Sequence, residues 1–585
     1  MIATSNDFTL ILDGTSLPPK DIIGGKAWSL ARMRAMGLPV PPAFVITTQT
    51  CRAYMASGQL PDELLREVDQ GIAYLERETG RRFGGAALPL LVSVRSGAPI
   101  SMPGMMDTVL NLGINNQAEQ ALAQETGNAA FARDTHRRFC EMFARIVLRA
   151  IVTELDRNAM PADWRATIAQ AGNGAVPQAP REQLHAAIRA VFDSWNGRRA
   201  KRYREHHGIN HEMGTAVTVQ AMVFGNSDGQ SGTGVLFSRN PLTGERKIYG
   251  EYLINAQGED VVSGSHTPEP LSRLAELMPS VHAQLVTAAE RLEKENRDVQ
   301  DIEFTVERGR LYLLQCRSAK RSAEAAVRIA TDLVSEGVLS EEQALARVSA
   351  EQVRMLLRPH LAQHAESTQL QALIVGEAAS PGVGVGMVVT DADSAVALAA
   401  QGEHVILVRP TTSPEDIHGM LVAHAVITER GGATSHAAVV SRQLGIPCVV
   451  GCGDGALDGL QATTVTVDGA NGKIYAGALH VEQPSESNHR QLAQLTTWAI
   501  TRAPIRVHAL DDNIPADTLD LDTVKGGDDV AVTRNLLQGV KAASGSVLNT
   551  DAGVHAAMAA GVQTIFVRQV LPALLAACAA SAKDR

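Results

Sequence analysis

The pattern of apolar and polar positions divides the chain into stretches of different character. Residues 114–212 combine charges with the apolar spacing of helices, as in "FARDTHRRFCEMFARIVLRAIVTEL", and predict a helical insertion. Short apolar runs then follow up to residue 317, for example "TAVTVQAMVF" and "DIEFTVERGRLYLLQCR", and predict strands separated by glycine-rich turns. Two further helical stretches, near 269–296 and 322–349, complete the predicted first domain at 1–350.

A second alternation of strands and helices occupies residues 373–480. It ends in "VTVDGANGKIYAG", where the Asp-Gly and Asn-Gly pairs predict a β-hairpin. The polar, histidine-rich sequence at 351–372 predicts a linker between the two units. Residues 481–585 remain as a short α/β tail that ends in an alanine-rich helix.

Composition narrows the class of protein. The 585 residues are 45% apolar and 20% charged, which predicts a globular protein of several domains. A formal net charge of −10 argues against nucleic acid or an anionic membrane as the main partner. The six cysteines are scattered, and neither a secretory signal nor an apolar run of about 18 residues is visible. We therefore expect a cytoplasmic protein.

One histidine follows a glycine-rich loop and opens a helical run, in "TERGGATSHAAVVSRQLGIPCVVG". Thr434 or Ser435 is placed to cap the helix at His436. Free N–H groups and the helix dipole would stabilise a negative charge there, such as a phosphoryl group on the ring. A histidine that only hydrogen-bonds its own loop fits the same pattern. Metal binding is less favoured, because no second ligand lies at helical spacing.

Two cations near the start of the chain lie beside glycines. Lys26, in "IIGGKAWSL", is placed at the start of a predicted helix, where an ammonium group can meet a phosphate. Arg95 follows the predicted strand "LLVSV" and enters the loop "RSGAPISMPGMMDT", which could close over phosphates. Each residue taken alone could equally be a surface cation at a turn.

The hairpin "DIEFTVERGRLYLLQCR" brings two pairs of polar residues together. With the turn centred on Gly309, Glu303 lies opposite Gln315. By the same count, Asp301 lies opposite Arg317, and cross-strand pairs are close enough to share a ligand. Oxygens of Glu303 and Gln315 could hold Mg²⁺, while Arg317 could bind a phosphate through two hydrogen bonds. An ordinary salt-bridged hairpin explains the same residues.

The stretch "GGATSHAAVVSRQLGIPCVVGCG" resembles the phosphohistidine domain of the pyruvate, phosphate dikinase family, the phosphoenolpyruvate-utilising enzymes. This resemblance implies that His436 is phosphorylated and carries the group between two distant sites. It also implies a swivelling β/α domain over 373–480, and a regulatory phosphorylation site at Thr434.

The first 350 residues resemble the nucleotide-binding domain of the same family, which has an ATP-grasp-like fold. The motifs include "GGKAWSLARMRAMGLPVPP", "SVRSGAPISMPGMMDTVLNLG" and "QDIEFTVERGRLYLLQCRSAKR". By resemblance, phosphates or the metal are bound by Lys26, Arg95, Glu303, Gln315 and Arg317. Other nucleotide contacts are implied for Arg165, Gln220, Met222 and Glu259. ATP and phosphate are the implied substrates, and Mg²⁺ is the implied cofactor.

The resulting fold class is a mixed α/β and α+β multidomain protein. In the tail, "SVLNTDAGVHAAMAAGVQTIFVRQVL" resembles the first strand, helix and second strand of the family's TIM barrel. A complete barrel needs at least about 200 residues, so we expect a truncated member that does not convert pyruvate by itself.

The predicted activity is transfer of the β-phosphoryl group of ATP to His436. The final acceptor, a separate protein or a small molecule, is expected outside this chain. Two alternatives stay open on the sequence. One is a degenerate nucleotide-binding protein with a regulatory or interaction role, and the other is a phosphocarrier subunit.

Overall fold

A computed structural model describes residues 8–583 apart from single positions and short segments. The exceptions are Ser101, Pro103, Thr153, Asn173, 263–266, 358–359, 362–370, Gly445, His480, Gln483, 511–513 and Asp528. The predicted linker at 351–372 therefore lies largely outside the described residues. Within the described ranges, no helix is both long and apolar enough to cross a membrane.

The first unit contains two five-stranded sheets and one two-stranded sheet. Its strands are β1 (Thr9–Ile11), β2 (Ala43–Ile46), β3 (Arg82–Phe83), β4 (Pro89–Leu90), β5 (Val92–Gly97), β6 (Thr108–Leu112), β7 (Ala216–Ala221), β8 (Gly232–Phe237), β9 (Tyr249–Ile254), β10 (Glu269–Pro270), β11 (Gln300–Glu307) and β12 (Arg310–Ser318). The first sheet has the order β1-β2-β7-β5-β6, the second has the order β10-β9-β8-β11-β12, and β3 pairs with β4. Strands β7 and β8 are buried along their whole length.

The insertion predicted over 114–212 is helical. The helices of the first unit are α1 (Lys20–Ala35), α2 (Thr48–Ser57), α3 (Asp62–Thr79), α4 (Asn116–Thr126), α5 (Ala129–Ile146), α6 (Pro161–Ala171), α7 (Pro180–Ser194), α8 (Arg198–His206), α9 (Gly258–Val262), α10 (Leu271–Leu277) and α11 (Pro279–Asn296). Phe139, Phe143 and Trp164 of the insertion pack into one core with the first sheet. Helices α1 and α11 cover one face of the second sheet instead.

Three helices and a mixed sheet follow. The elements are α12 (Ala323–Ser335), α13 (Glu341–Leu345), α14 (Ala350–Leu356), β13 (His360–Leu361), β14 (Ile374–Val375), β15 (Glu377–Ser380), β16 (Val383–Val389), α15 (Ala392–Ala399), β17 (Val405–Arg409), α16 (Ile417–Met420), β18 (Ala425–Thr428), α17 (His436–Leu444), β19 (Cys448–Val450), β20 (Thr464–Asp468), β21 (Lys473–Ala476) and β22 (Val481–Glu482). The eight-stranded sheet has the order β14-β21-β20-β16-β17-β18-β19-β15. Strands β20 and β21 form the predicted hairpin, with Asp468 opposite Lys473.

The tail combines strands and helices. The elements are α18 (Arg490–Ile500), β23 (Arg506–Ala509), β24 (Leu519–Asp520), α19 (Val530–Leu536), β25 (Ala542–Ser544), α20 (Asp551–Ala559), β26 (Thr564–Val567) and α21 (Val570–Lys583). These strands form a parallel sheet with the order β23-β26-β25-β24. Its core includes Val327, Leu345 and Val353 of α12–α14. We call residues 373–480 the histidine unit. The three helices that precede it are thus packed against the tail.

The opening strand implied at "SVLN" is wrong in its position. Ser546–Asn549 is a short 3₁₀ helix, and the strand lies just before it, at Ala542–Ser544. Gly545 adopts φ 139° and ends the strand. The Asp522 carboxylate then accepts hydrogen bonds from the Ser546 N–H at 2.8 Å and from its hydroxyl at 2.6 Å, which holds the turn in place of an extended chain.

Candidate functional site

Lys26 lies where helix α1 restarts after a break. Gly24 has φ 76° inside the helix, and a Cβ there would lie 1.7 Å from the carbonyl oxygen of Gly97. The N–H of Gly25 donates to the Ala98 carbonyl at 3.0 Å. Only glycine permits both this backbone conformation and this close approach. The two glycines therefore fix the Lys26 turn against the loop that follows β5.

The β11–β12 hairpin has the pairs that the sequence predicts. Glu303 lies opposite Gln315, and Asp301 lies opposite Arg317. The turn is one residue tighter than a turn centred on Gly309, and a bulge beside Glu303 restores the register. The pairing prediction is confirmed, although the symmetric count behind it omitted both the tighter turn and the bulge.

Arg317 is held in place by its cross-strand partner. Its Nε donates to the Asp301 carboxylate at 2.7 Å, and this carboxylate is the main reason that the pKa of Arg317 is raised. The guanidinium group therefore remains charged. Next to it, the Ser29 hydroxyl donates to the Cys316 carbonyl at 2.6 Å, which ties α1 to β12 and brings Lys26 to the hairpin.

Three cations meet in this region. Burial, together with the neighbouring charges of Arg95 and Arg317, lowers the pKa of Lys26 to about 8, while Glu303 acts in the opposite direction. The Nε of Arg95 is buried and has no hydrogen-bond partner among the described residues. We call this group the nucleotide cluster: Lys26, Arg95, Asp301, Glu303, Gln315 and Arg317. Its excess of positive charge suits a polyanionic ligand.

Mg²⁺ fits the donor pair of the cluster. No group of three or more His, Cys, Asp or Glu side chains in the described ranges could hold a metal by itself. Mg²⁺ is commonly bound through one or two protein oxygens, with waters and substrate phosphates completing its octahedron. The paired Glu303 carboxylate and Gln315 amide supply oxygens of this kind.

The residues proposed for the adenosine side lie on and after β7. Gln220 is 1% exposed, and its side-chain amide donates to the Pro41 carbonyl at 3.2 Å. The Met222 N–H donates to the Leu91 carbonyl at 2.9 Å. The backbone of Glu259 lies in α9, but its side chain lies outside the described residues. Their nucleotide contacts stay predictions.

Arg165 lies in the helical insertion, on α6. Its guanidinium group donates to the Asn116 side chain at 3.1 Å. No hydrogen bond or ion pair in the described part of the chain joins it to the nucleotide cluster. A nucleotide-binding role for Arg165 is therefore a prediction without support from the geometry.

His436 is the first residue of α17 and is half-buried. The Thr412 hydroxyl lies 3.1 Å from its Nδ1, whereas its Nε2 is buried and has no hydrogen-bond partner among the described residues. Burial lowers the pKa of His436, with Asp416 acting in the opposite direction. The ring is therefore neutral at pH 7, with one nitrogen available to react.

The side-chain cap predicted for α17 is wrong. The Thr434 hydroxyl donates instead to the carboxylate of Glu251 on β9, and the buried Ser435 hydroxyl has no partner among the described residues. The partner of Thr434 lies 183 residues away in the chain. A tertiary contact has therefore replaced the local one that the sequence favoured.

The loop before His436 is docked on the first unit. We call residues 431–436 the histidine loop. Besides the Thr434 contact, Glu251 accepts a hydrogen bond from the Ala433 N–H at 3.0 Å. The Tyr249 hydroxyl donates to Glu377 of the histidine unit at 3.3 Å. Burial raises the pKa of Glu251 to about 7. These docking residues were not predicted from the sequence.

The docking residues share one face of the second sheet with the four members of the nucleotide cluster that lie on β11 and β12. One row of directly paired residues runs Glu251, Val235, Glu303, Gln315. The neighbouring row runs Tyr249, Phe237, Asp301, Arg317. Paired residues point to the same face, so Glu251 and Glu303 are two strand spacings, roughly 10 Å, apart on one surface.

Comparison with known proteins finds a family match for the first unit and another for the unit that carries His436. The family described as "Pyruvate phosphate dikinase, AMP/ATP-binding domain" matches residues 20–70, 54–283 and 272–337. The family described as "PEP-utilising enzyme, mobile domain" matches residues 401–472. The matched regions contain the nucleotide cluster and the histidine loop respectively.

Curated relatives cover most of this chain. Pyruvate, phosphate dikinase of Clostridium symbiosum is 43% identical over 539 residues, which are 86% of this chain and 61% of that protein. The enzyme of Rhizobium meliloti (strain 1021) is 42% identical over 551 residues, 86% and 60% of the two chains. The chloroplastic enzyme of Flaveria pringlei is 42% identical over 535 residues, 86% and 55%. The chain spans about three fifths of the length of the relatives it matches. Because the nucleotide-binding match alone covers more than half of the sequence, the chain belongs to the pyruvate, phosphate dikinase family.

Proposed function

We propose that this protein is an ATP-dependent phosphotransferase that moves the β-phosphoryl group of ATP to His436. The observation that carries the proposal is the shared sheet face. The histidine loop docks on the β9 end of two residue rows, and the other end of the same rows carries the paired residues of β11 and β12. A nucleotide bound by those pairs would therefore lie within reach of the docked histidine.

The cations of the nucleotide cluster would neutralise the negative charge of a bound triphosphate. Lys26, Arg95 and Arg317 would neutralise the phosphate oxygens, where charge develops during transfer. When bound by Glu303 and Gln315, Mg²⁺ would neutralise further phosphate charge. The pKa of Lys26 is lowered first by burial and then by the neighbouring cations. This supports the assignment, because a bound anion would stabilise the charged ammonium group.

His436 would act as the nucleophile through Nε2. In the tautomer whose Nδ1–H donates to the Thr412 oxygen, the lone pair lies on Nε2, which is the nitrogen without a partner. Attack on the β-phosphorus forms the N–P bond and breaks the bond to the α-phosphate oxygen, so AMP leaves. Inorganic phosphate then takes the γ-phosphoryl group as pyrophosphate, and His436 keeps the β-phosphoryl group.

The later steps require the histidine unit to leave the nucleotide cluster. We propose that sequence within 351–372 serves as the hinge, and that the phosphoryl group passes to a separate protein or small molecule. Phosphorylation of Thr434 would remove its hydrogen bond to Glu251 and place two negative groups together, which supports a regulatory role. All six cysteines are free, which is consistent with a reducing compartment such as the cytoplasm.

The test uses ATP labelled separately at the β and γ positions, with Mg²⁺ and phosphate. We expect acid-labile label on the protein from β-labelled ATP, and its complete loss in His436→Ala. His418→Ala, at an exposed histidine of the same unit, is the control that keeps the label. Bound nucleotide without labelled protein would instead support a degenerate regulatory protein. Label that arrives only from a phosphorylated donor protein would support a carrier subunit.

A further inference from the structure

A second cavity lies away from the nucleotide cluster, at the junction of three parts of the molecule. It has a volume of about 1080 Å³ and is lined by the segment after β12, by α13 and α14, by Arg442 of α17, and by α18, α20 and α21 of the tail. This volume is large enough for a small organic ligand. Neither the phosphate transfer described above nor the docking of the histidine loop uses it.

Positive charge on this cavity is incompletely balanced. Lys320, Arg321, Arg347 and Arg442 all line it. Arg321 and Arg347 share a single oxygen of Asp298, at 2.7 Å and 3.0 Å. That oxygen also accepts the Val299 N–H at 3.0 Å. One carboxylate oxygen thus serves two guanidinium groups and a backbone donor.

Lys320 and Arg442 have no ion-pair partner within the described ranges. Arg442 is 4% exposed, and its Nε has no hydrogen-bond partner there. Its other two nitrogens donate to the carbonyls of Ala379 and Ala433, each at 2.8 Å. Burial lowers the pKa of Arg442, and the charges of Asp301 and Glu251 act in the opposite direction without a hydrogen bond to it. A buried guanidinium group with a free donor is costly unless a ligand supplies the acceptor.

The acidic residues of the cavity do not supply that acceptor. Asp551 accepts from Arg354 at 2.6 Å, and Glu351 lies 3.7 Å from the same arginine. Glu342 is exposed. Arg502, the remaining cation, is paired with Glu341 at 2.5 Å. The surplus charge of the cavity therefore comes from the lining cations Lys320, Arg321, Arg347 and Arg442, of which Arg321 and Arg347 share Asp298. An apolar wall of Leu345, Met355 and Leu575 lines the same space.

We propose that this cavity binds a small molecule with a phosphate head and an apolar body. Four lining cations, of which only Arg321 and Arg347 are ion-paired within the described ranges, favour a phosphate dianion over a singly charged carboxylate. The apolar wall would receive the remainder of the ligand. Arg442 also donates to the Ala433 carbonyl of the histidine loop. A ligand in the cavity would therefore contact the guanidinium group that holds this loop.

The test measures binding of 4-methylumbelliferyl phosphate to the full chain by fluorescence anisotropy. We expect one site per chain, and at least tenfold weaker binding of 4-methylumbelliferone, which lacks the phosphate. Lys320→Gln should weaken binding at least fivefold, because it removes an unpaired cation. Ala579→Trp should do the same by filling the cavity, since Ala579 is an exposed lining residue.

Two control variants separate this cavity from other sites. Lys473→Gln changes an exposed lysine of the β20–β21 hairpin and should leave the affinity unchanged. Lys26→Ala disables the nucleotide cluster and should also leave it unchanged, so the result does not depend on the proposed function. Absent binding, equal binding of the phosphate-free compound, equal binding by Lys320→Gln and wild type, or loss of binding in Lys26→Ala would each overturn the proposal.

Discussion

The nucleotide cluster and the histidine loop are held together in different ways. In the cluster, three cations lie near two carboxylates, and the buried Nε of Arg95 has no hydrogen-bond partner among the described residues. In the histidine loop, Glu251 and Thr412 fix the backbone and the ring from other segments, while the Nε2 of His436 has no partner in the described part of the chain. The cluster should therefore respond most to changes of charge, and the loop to changes of hydrogen-bond geometry.

The largest expected effect comes from removing a charge of the cluster. Lys26→Ala should slow phosphorylation of His436 by about 100- to 1000-fold, the usual result of deleting one preorganised electrostatic group. The rate is measured from the acid-labile label under single-turnover conditions. Lys294→Ala, at an exposed position of α11, should leave the rate unchanged. Equal rates in both variants would show that the cluster does not act on the phosphates.

A smaller loss is expected from changing the geometry of the loop. Thr412→Val keeps the shape of the side chain but removes the hydrogen bond to Nδ1, and should slow phosphorylation about tenfold. Thr412→Ser restores the hydroxyl and should recover most of the rate. The pH at which the rate is half-maximal should also change in Thr412→Val, because Nδ1 loses its partner. An unchanged rate and pH profile would contradict an orienting role.

Docking of the histidine loop should weaken as pH rises. Glu251 has a pKa of about 7 when docked, so a carboxyl group with an ordinary pKa when undocked takes up a proton on docking. The docking constant should then fall about eightfold between pH 6 and pH 7.5, and become constant above that range. The docking constant is measured by Förster energy transfer between dyes attached at exposed positions 294 and 402.

The matched variant for this pH effect is Glu251→Gln. The amide cannot ionise, so its docking constant should not vary over the same range. A pH dependence of equal size in wild type and variant would assign the effect to another group.

The smallest effect concerns the titration of Lys26. Its pKa of about 8 means that the free site loses a cation above that pH, whereas a bound polyphosphate keeps the ammonium protonated. Affinity for a magnesium-bound, non-hydrolysable ATP analogue should fall about threefold between pH 7.5 and pH 8.5. Lys26→Arg, which does not titrate there, should show no such fall in calorimetric titrations. A decline of the same size in Lys26→Arg would contradict this assignment.

The sequence predicts the nucleotide cluster better than the docking contacts, for a physical reason. Glu303 and Gln315 are twelve positions apart in one hairpin, so counting along two strands finds their pairing. Glu251 and Thr434 belong to different units, and no local period relates them. The alternation of Tyr249 and Glu251 in "YGEYLI" was the one available signal, because it places two polar groups on one face of a predicted strand.

Predictions from neighbouring residues were also wrong where a residue far along the chain offered another hydrogen-bond partner. The local sequence favoured a side-chain cap on α17 by Thr434, but the Thr434 hydroxyl donates to Glu251 instead. At Ser546, the carboxylate of Asp522 draws the chain into a 3₁₀ turn where a strand was expected. Both errors involve hydroxyl residues, whose short side chains can serve either their own backbone or another segment.

Because the histidine loop docks through β9, it matters whether this strand shifts by an odd or an even number of residues. Neighbouring residues of a strand point to opposite faces, so a shift of one position would turn Tyr249 and Glu251 to the far side of the sheet. A shift of two would return them to the original side. In divergent sequences, the segment leading into β9 should therefore tolerate even-numbered changes of length more readily than odd-numbered ones.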